Sequence, residues 1–394
     1  MPFNLTIPSD WEGIAVILVL VAAWNIFFER WKEYLPFLID FQLKSYQLMS
    51  HLSPRRPRVK WVALVEVDDE TFWKPPFSGI QPTNRRALGD LVRKAAAGGA
   101  TVIALDFQLY STSDKPGDDP IRADDNQYLL ESIRQAVNAG TRVVLTQGFI
   151  QTEDGRWKEE PGIFERGALP EGVTFGYINL PTDKREIPLS KTIAPSGGGE
   201  PARADSFALQ IVDQYEQSIN MREKTRSESR IAAAIRDETF VCGSFVVPGS
   251  FVRISARDLL NVGPAAELCN GRIVIVGGAW HVSGGRGPLI ESFASPVGRI
   301  PGMQLHANYV EALLDDRFQP RMSMWTGVVI DLIVGFMIYF LYNHATSSEQ
   351  NFVLAVPLAM ILFAYVTSAN LGLYLDFVPP MSLYFVHLAW EHFK

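Results

Sequence analysis

Three aspartates and two glycines stand at the ends of apolar runs, where side chains that bind or react are found in α/β proteins. Asp68 and Asp69 close WVALVEVDD, which begins at Trp61; Asp106 lies near the end of TVIALDF, Thr101 to Phe107; and Gly277 and Gly278 close GRIVIVGG. Carboxylates brought to one place could hold a cation or amines, and paired glycines would let backbone approach the same ligand. The alternative use of the aspartates is to cap the following turn and the helix N-termini. His281 follows in a glycine-rich loop, His281 to Ser295 (HVSGGRGPLIESFAS), and could approach His306 across it.

Signatures of other chemistry are missing. Gly277-Gly278 and Gly284-Gly285-Arg286-Gly287 have neither the G-x-G-x-x-G spacing of a dinucleotide site nor the G-x-x-x-x-G-K-[ST] of a P-loop. There is no G-x-S-x-G nucleophile elbow, and the six histidines contain no H-x-x-x-H pair. Catalysis, a cofactor and a metal are therefore not expected. Asp68, Asp69, Asp106, Gly277, Gly278 and His281 are candidates for binding a ligand, with capping the plainer use of the aspartates.

The elements that must position them follow from periodicity. Trp61 to Asp69 is rich in β-branched residues and nearly continuous in apolar character, as a strand buried on both faces would be. Asn84 to Ala97 (NRRALGDLVRKAAA) predicts a helix, with Leu88, Leu91, Val92 and Ala95 at helical spacing and Gly98-Gly99 as its stop. Thr101 to Phe107 is a second strand, which completes a right-handed βαβ unit with a parallel sheet. Asn126 to Ala139 predicts another helix and Arg142 to Ile150 (RVVLTQGFI) a third strand.

Between Gln151 and Ile193 shorter runs broken by Gly and Pro, VTFGYINLP (Val173 to Pro181) among them, predict antiparallel strands or hairpins added to the sheet. Ser206 to Asp237 reads as helix, Thr239 to Val247 and Gly271 to Gly278 as strands, and Pro301 to Leu314 as a last helix. The fold class is α/β, a mostly parallel βαβ sheet with antiparallel additions. Asp68, Asp69 and Asp106 are expected at the carboxyl ends of neighbouring strands.

A chain of 394 residues that is 47% hydrophobic, with a mean hydropathy of +0.05, is too apolar for an ordinary soluble protein. The excess lies at the two ends. Gly13 to Phe28 is uncharged and framed by Trp11 and Trp31, as in an interfacial aromatic belt. It lacks the basic start and cleavage site of a secretory signal, so a retained anchor is expected. Met322 to Tyr342, Phe352 to Ala369 and Leu371 to Trp390 are three further candidate spans.

The expected organisation is an N-terminal transmembrane anchor over residues 1–32 and a helical linker over 33–60, then an α/β domain over 61–320 and a three-helix region in the lipid bilayer over 321–394. Asp331 falls near the middle of the second span, where an ionisable side chain is costly. Packing against another span or a partner's helix is expected there ahead of ion movement. Arg30 and Lys32 after the first span, with Arg317 and Arg321 before the second, place the domain in the cytoplasm by the positive-inside rule, which loses force for long translocated domains. A net charge of −7 argues against nucleic acid as a partner. Cys242 and Cys269 could pair in an oxidising compartment or sit as buried free thiols.

The order VALVEVDDETF, NRRALGDLVRKAAAGGATVIALDF, RVVLTQGF, TFGYINLPTDKREIPL, SFALQIV, NGRIVIVGG and IPGMQLHANYVEALL resembles the type 2 CHASE domain (cyclases/histidine kinases associated sensory extracellular), from Trp61 to about Leu314. The strongest matches are Asp68-Asp69, the block from Gly98-Gly99-Ala100 to Asp106, Gly271 to Gly277, and Pro301-Gly302 with His306-Ala307. One span before the domain and three after it are also similar to the family's layout. The resemblance implies an extracytoplasmic sensory module of a multi-pass protein in the bacterial inner membrane. It thus sets the domain outside, against the charge count, with Lys394 inside.

The resemblance names no ligand. Where members often carry a Trp-Pro and Arg turn before the first helix, this chain has Trp73-Lys74-Pro75-Pro76 and a longer Phe77 to Thr83 insertion. Lys394 follows the last span directly, so a separate membrane protein or cytoplasmic effector is expected to carry any output. Two functions fit. In a stand-alone sensor, a small ligand or a periplasmic protein partner biases the domain, and helices over Phe37 to Leu52 and Ala307 to Leu314 relay the change. In a structural subunit, the domain and spans dock on a larger inner-membrane complex. An enzyme using Asp68 and Asp106 is the least supported class.

Overall fold

Apolar runs buried on both faces form the centre of the structure, a computed structural model. It describes residues 57–320 apart from 112–121, 152, 154–156, 165, 182–183, 194–201, 220–239, 243–244, 263–265 and 284–286, with scattered positions on either side. The chain divides into two compact units, residues 56–320 and the flanking segments 1–55 with 321–394. Among the described residues no helix is long and apolar enough to cross a membrane. The candidate spans lie largely, and Asp331 wholly, outside the described residues.

Six strands make the main sheet: β1 (Val62–Val67), β2 (Val102–Asp106), β3 (Arg142–Gln147), β4 (Val173–Tyr177), β5 (Val252–Ser255) and β6 (Ile273–Gly278). Their order is β5-β1-β6-β2-β3-β4, and every neighbouring pair is parallel. Five helices cover the sheet: α1 (Arg85–Ala97), α2 (Ala123–Asn138), α3 (Phe207–Ser218), α4 (Ala256–Val262) and α5 (Gly302–Leu314). On one face α1 packs against α2 and α4, and on the other α3 packs against α5. Strands enclosed this way read as continuous apolar runs because both sides of the pleat are buried.

The alternation of side chains divides the core. Val65, Val67, Ile103 and Leu105 meet Leu88, Leu91 and Ile133 in one continuous cluster. Phe207, Ile211, Met303 and Tyr309 are buried under α3 and α5. The Asn84 side chain starts α1 by accepting the N–H groups of Arg86 and Ala87 at 3.0 and 3.2 Å. Gly99 follows its end at φ +81°, where an added Cβ would lie 2.7 Å from Asn270 Oδ1. Helix α5 is buried along almost its whole length, its polar residues Gln304, His306, Asn308 and Glu311 included.

Three expectations are corrected. β1 and β2 are parallel, but they are not neighbours, because β6 lies between them. Val173 to Tyr177 is not an antiparallel addition; it pairs parallel with β3 from Val143 and Val173 to Gln147 and Tyr177. Its Gly176 allows that position by bringing α3 close, since a Cβ there would lie 2.4 Å from Phe207 Cα. The strand predicted over Thr239 to Val247 is described only as Phe240–Cys242, in a small antiparallel sheet with Phe318–Pro320 and Glu186–Ile187.

Antiparallel pairs are present around the middle, Phe149–Gln151 with Trp157–Glu159 and Ser190–Ile193 with Ala202–Asp205, but they draw on residues outside Gln151 to Ile193: the stretch predicted as one strand from Arg142 to Ile150 stops at Gln147, and its end joins the first pair. The helix predicted to Asp237 is described as far as Ser218. β5 and α4 have no counterpart in the sequence expectation, because VRIS is short and alternates polar with apolar. Cys269 is a buried free thiol, and the side chain of Cys242 lies outside the described residues.

Candidate functional site

The place of β6 sets the site. Gly277 pairs with Glu66 on one side and Asp106 on the other, and Gly278 pairs with Val67. Helices α1 and α2 follow β1 and β2 on one face, whereas α5 follows β6 on the other. Connections that part to opposite faces open a crevice at the strand carboxyl ends. A cavity of about 210 Å³ lies there, with Arg85, Asp106, Tyr110, Gly278, Trp280 and Glu291 in its wall.

Of the residues singled out from sequence, Asp106 and Gly278 line this cavity and the others serve around it. Asp68 is a cap: its Oδ1 accepts the N–H and hydroxyl of Thr71 at 2.9 and 2.7 Å, starting the short helix Asp69–Phe72. Asp69 reaches instead to His281, accepting its backbone N–H at 2.8 Å and meeting its Nδ1 at 2.6 Å. This pair holds the loop after β6 against the turn after β1. Gly277 makes room for α5, since a Cβ would lie 2.7 Å from Met303 Cβ. Gly278 makes room for the Trp280 ring, 2.6 Å from the same imagined atom.

Burial governs the electrostatics of the wall. It raises the Asp106 carboxyl from 3.8 to about 8, and Glu291 nearby adds to the rise. Glu291 is itself raised by burial. On the α5 side His306 Nε2 lies 4.0 Å from Asp106 Oδ1. That separation is at the outer limit for an ion pair, and burial lowers His306 to about 4. Near neutral pH both groups are therefore uncharged, and their contact is not a salt bridge.

Four residues that complete the cavity wall escaped the sequence reading. Arg85 is buried at the first position of α1, where it donates to Asn126 Oδ1 and, at 3.3 Å, to the Tyr110 carbonyl. A cation there opposes the helix dipole, and that misplaced charge was the signal in NRRALG. Trp280 stacks on Phe72 with ring centroids 3.9 Å apart and planes 5° from parallel. Its indole N–H is buried and has no hydrogen-bond partner among the described residues. Glu291 holds φ at +46°, a left-handed conformation that costs a non-glycine residue about 1–3 kcal/mol. Tyr110 joins the wall from the loop after β2.

A second polar group lies beside the first, under α5. Glu66 in β1 takes two bonds from Arg253 at 2.8 and 2.6 Å and a third from Gln304 at 3.0 Å. Farther along α5, Glu311 accepts the backbone N–H groups of Lys60, Trp61 and Val62 at 2.9 to 3.2 Å. Burial nevertheless raises its titration, the three N–H groups and Arg317 opposing that rise. Lys60 also bonds Asp315, which in turn accepts from Arg317 at 2.9 Å. The residues where the chain joins and leaves the domain are thus held together at one end of α5.

No curated protein and no solved structure matches this sequence. The CHASE2 domain family matches it over residues 14–341, and domains of this family are typically extracellular sensory domains of membrane proteins. That match takes in the whole parallel sheet, the crevice at its carboxyl ends and the helix α5 beneath it, so the chain belongs to the CHASE2 domain family.

Proposed function

We propose that this chain is a non-enzymatic sensory protein of the bacterial inner membrane. Its extracytoplasmic α/β domain binds a small ligand in the cavity beside Asp106 and Gly278 and passes occupancy to a separate partner protein. The observation that supports this most is where the cavity lies: between connections that part to opposite faces, with a buried carboxyl in its wall.

Helix α5 supplies a route for the signal. It starts at Gly302, where a Cβ would lie 3.7 Å from Asp106 Oδ2, and near its other end Glu311 grips the backbone of Lys60 to Val62. A rigid helix of about 20 Å therefore joins the cavity wall to the points where residues 57–62 and 315–320 lead out of the domain. A ligand that moves the first turn of α5 displaces the Glu311 clamp with it.

The test is thermal unfolding of the full chain in detergent against a library of small polar solutes. A true ligand raises Tm by mass action, and Asp106→Ala abolishes the rise. An undiminished rise in that variant would remove Asp106 from the site.

A further inference from the structure

With the cavity as the ligand site, as proposed above, we infer that the insertion Phe77 to Thr83 selects what enters it, Gln81 and Thr83 reading hydroxyl or amide groups of the ligand. Gln81, Pro82 and Thr83 are consecutive residues of the cavity wall.

The insertion is built to hold a fixed shape. Phe77 is fully buried and anchors it in the core cluster. Around that anchor the Ser78 N–H donates to the Lys74 carbonyl at 2.9 Å, the Gly79 N–H to the Phe72 carbonyl at 2.7 Å and the Ile80 N–H to the Phe77 carbonyl at 3.1 Å. Gly79 stands at φ +66° against the Trp73 ring, 3.0 Å from the Cβ that another residue would carry there. Asn84 Nδ2 donates to the Pro76 carbonyl at 2.8 Å, and Arg122 Nη1 to the Pro82 carbonyl at 2.5 Å. The backbone that carries Gln81 and Thr83 is therefore tied down without help from either side chain.

Other parts of the wall are committed to the fold. Arg85 bonds Asn126 and the Tyr110 carbonyl, Gly278 makes room for Trp280, Trp280 stacks on Phe72, and the Glu291 carbonyl accepts the Gly302 N–H at 3.0 Å. A change at any of these disturbs the domain together with the cavity. Gln81 is exposed and Thr83 half-buried, and among the described residues neither side chain has a hydrogen-bond partner. A carboxamide and a hydroxyl both donate and accept, and neither carries charge. Their natural counterparts are groups that do the same, hydroxyls and amides. The cavity of about 210 Å³ is below the range of about 300–1,000 Å³ usual for larger ligands, which points to a molecule no bigger than a single sugar.

Calorimetric titration of the full chain in detergent tests this, with hexoses, pentoses, glycerol, inositol and acetamide on one side of the panel and acetate, ethylamine and the amino acids on the other. At least one sugar, polyol or amide should bind. Gln81→Ala and Thr83→Val should each weaken the tightest of them by about two- to tenfold and change the order of affinities, and Thr83→Ser, which keeps the hydroxyl, should hold the original order. Tm without solute should be unchanged in all three variants, whereas Phe77→Ala should lower it. An unchanged order in Gln81→Ala and Thr83→Val, with binding still lost in Asp106→Ala, would overturn the inference and leave the proposed function standing. A lowered Tm in Gln81→Ala or Thr83→Val would also overturn it, because those side chains would then be holding the fold. Binding confined to the charged solutes would overturn it as well. If no solute of either kind binds, the cavity is not a ligand site and the proposed function falls with the inference.

Discussion

Asp106 and His306 face each other from the sheet and from α5, and burial drives their titrations in opposite directions. The folded chain holds the Asp106 proton up to about pH 8, against an ordinary 3.8, so stability is lost as pH rises through that window. His306 is lowered from 6.5 to about 4, so its contribution is lost as pH falls below 6.5. The two oppose each other between about 4 and 6.5, and from 6.5 to about 8 Asp106 acts without that opposition. There the unfolding free energy should fall by about 1.4 kcal/mol per pH unit, with Asp106→Asn flattening the slope in urea titrations. A slope that persists in the variant would assign the proton to another group. At this scale the aspartates were visible in the sequence, but their division of labour was not. Asp68 caps, Asp69 ties a loop and Asp106 is buried, because each environment is made by residues distant in the chain.

Helix α5 carries more of the architecture than its sequence suggests. IPGMQLHANYVEALL announces a helix by its apolar spacing, yet Gln304, His306, Asn308 and Glu311 are all buried within it. Three of them are held against different parts of the domain: Gln304 donates to Glu66, Asn308 accepts from Val246 N–H at 2.6 Å, and Glu311 binds the start of β1. Removing the Glu311 carboxylate leaves three backbone N–H groups without their acceptor. Glu311→Ala should therefore cost about 1–3 kcal/mol, the penalty for leaving the buried Val62 N–H unsatisfied, since water can reach the part-buried N–H groups of Lys60 and Trp61. Glu311→Gln keeps an acceptor oxygen and should cost less. Hydrogen exchange should localise the loss to the amides of residues 60–62, and full protection there in Glu311→Ala would rule out the clamp. A glutamate among apolar residues was a readable anomaly; its partners were not, since local periodicity says nothing of which strand a helix end will meet.

For the molecule as a whole the competing function is a structural subunit of a larger membrane complex. Gentle detergent extraction distinguishes the two: stoichiometric membrane partners without a ligand response make the chain a subunit, and a ligand response makes it a sensor. If the segment Met322 to Tyr342 spans the membrane as its composition predicts, Asp331→Leu should weaken co-purification of any partner that packs against it, and complete retention would sink that role for Asp331. The sequence by itself determined the α/β class, the parallel runs of β1, β2, β3 and β6, the limits of α1 and the family, because these depend on local periodicity, strand composition and short motifs. Only the tertiary structure decided that β6 divides β1 from β2, that β4 joins the sheet in parallel, and that Arg85, Trp280 and Glu291 close a cavity over Asp106 and Gly278. Strand neighbours are chosen by how whole faces pack. Gly277 could come to lie between Glu66 and Asp106 only because, with no side chain, it lets Met303 and α5 settle on the strand.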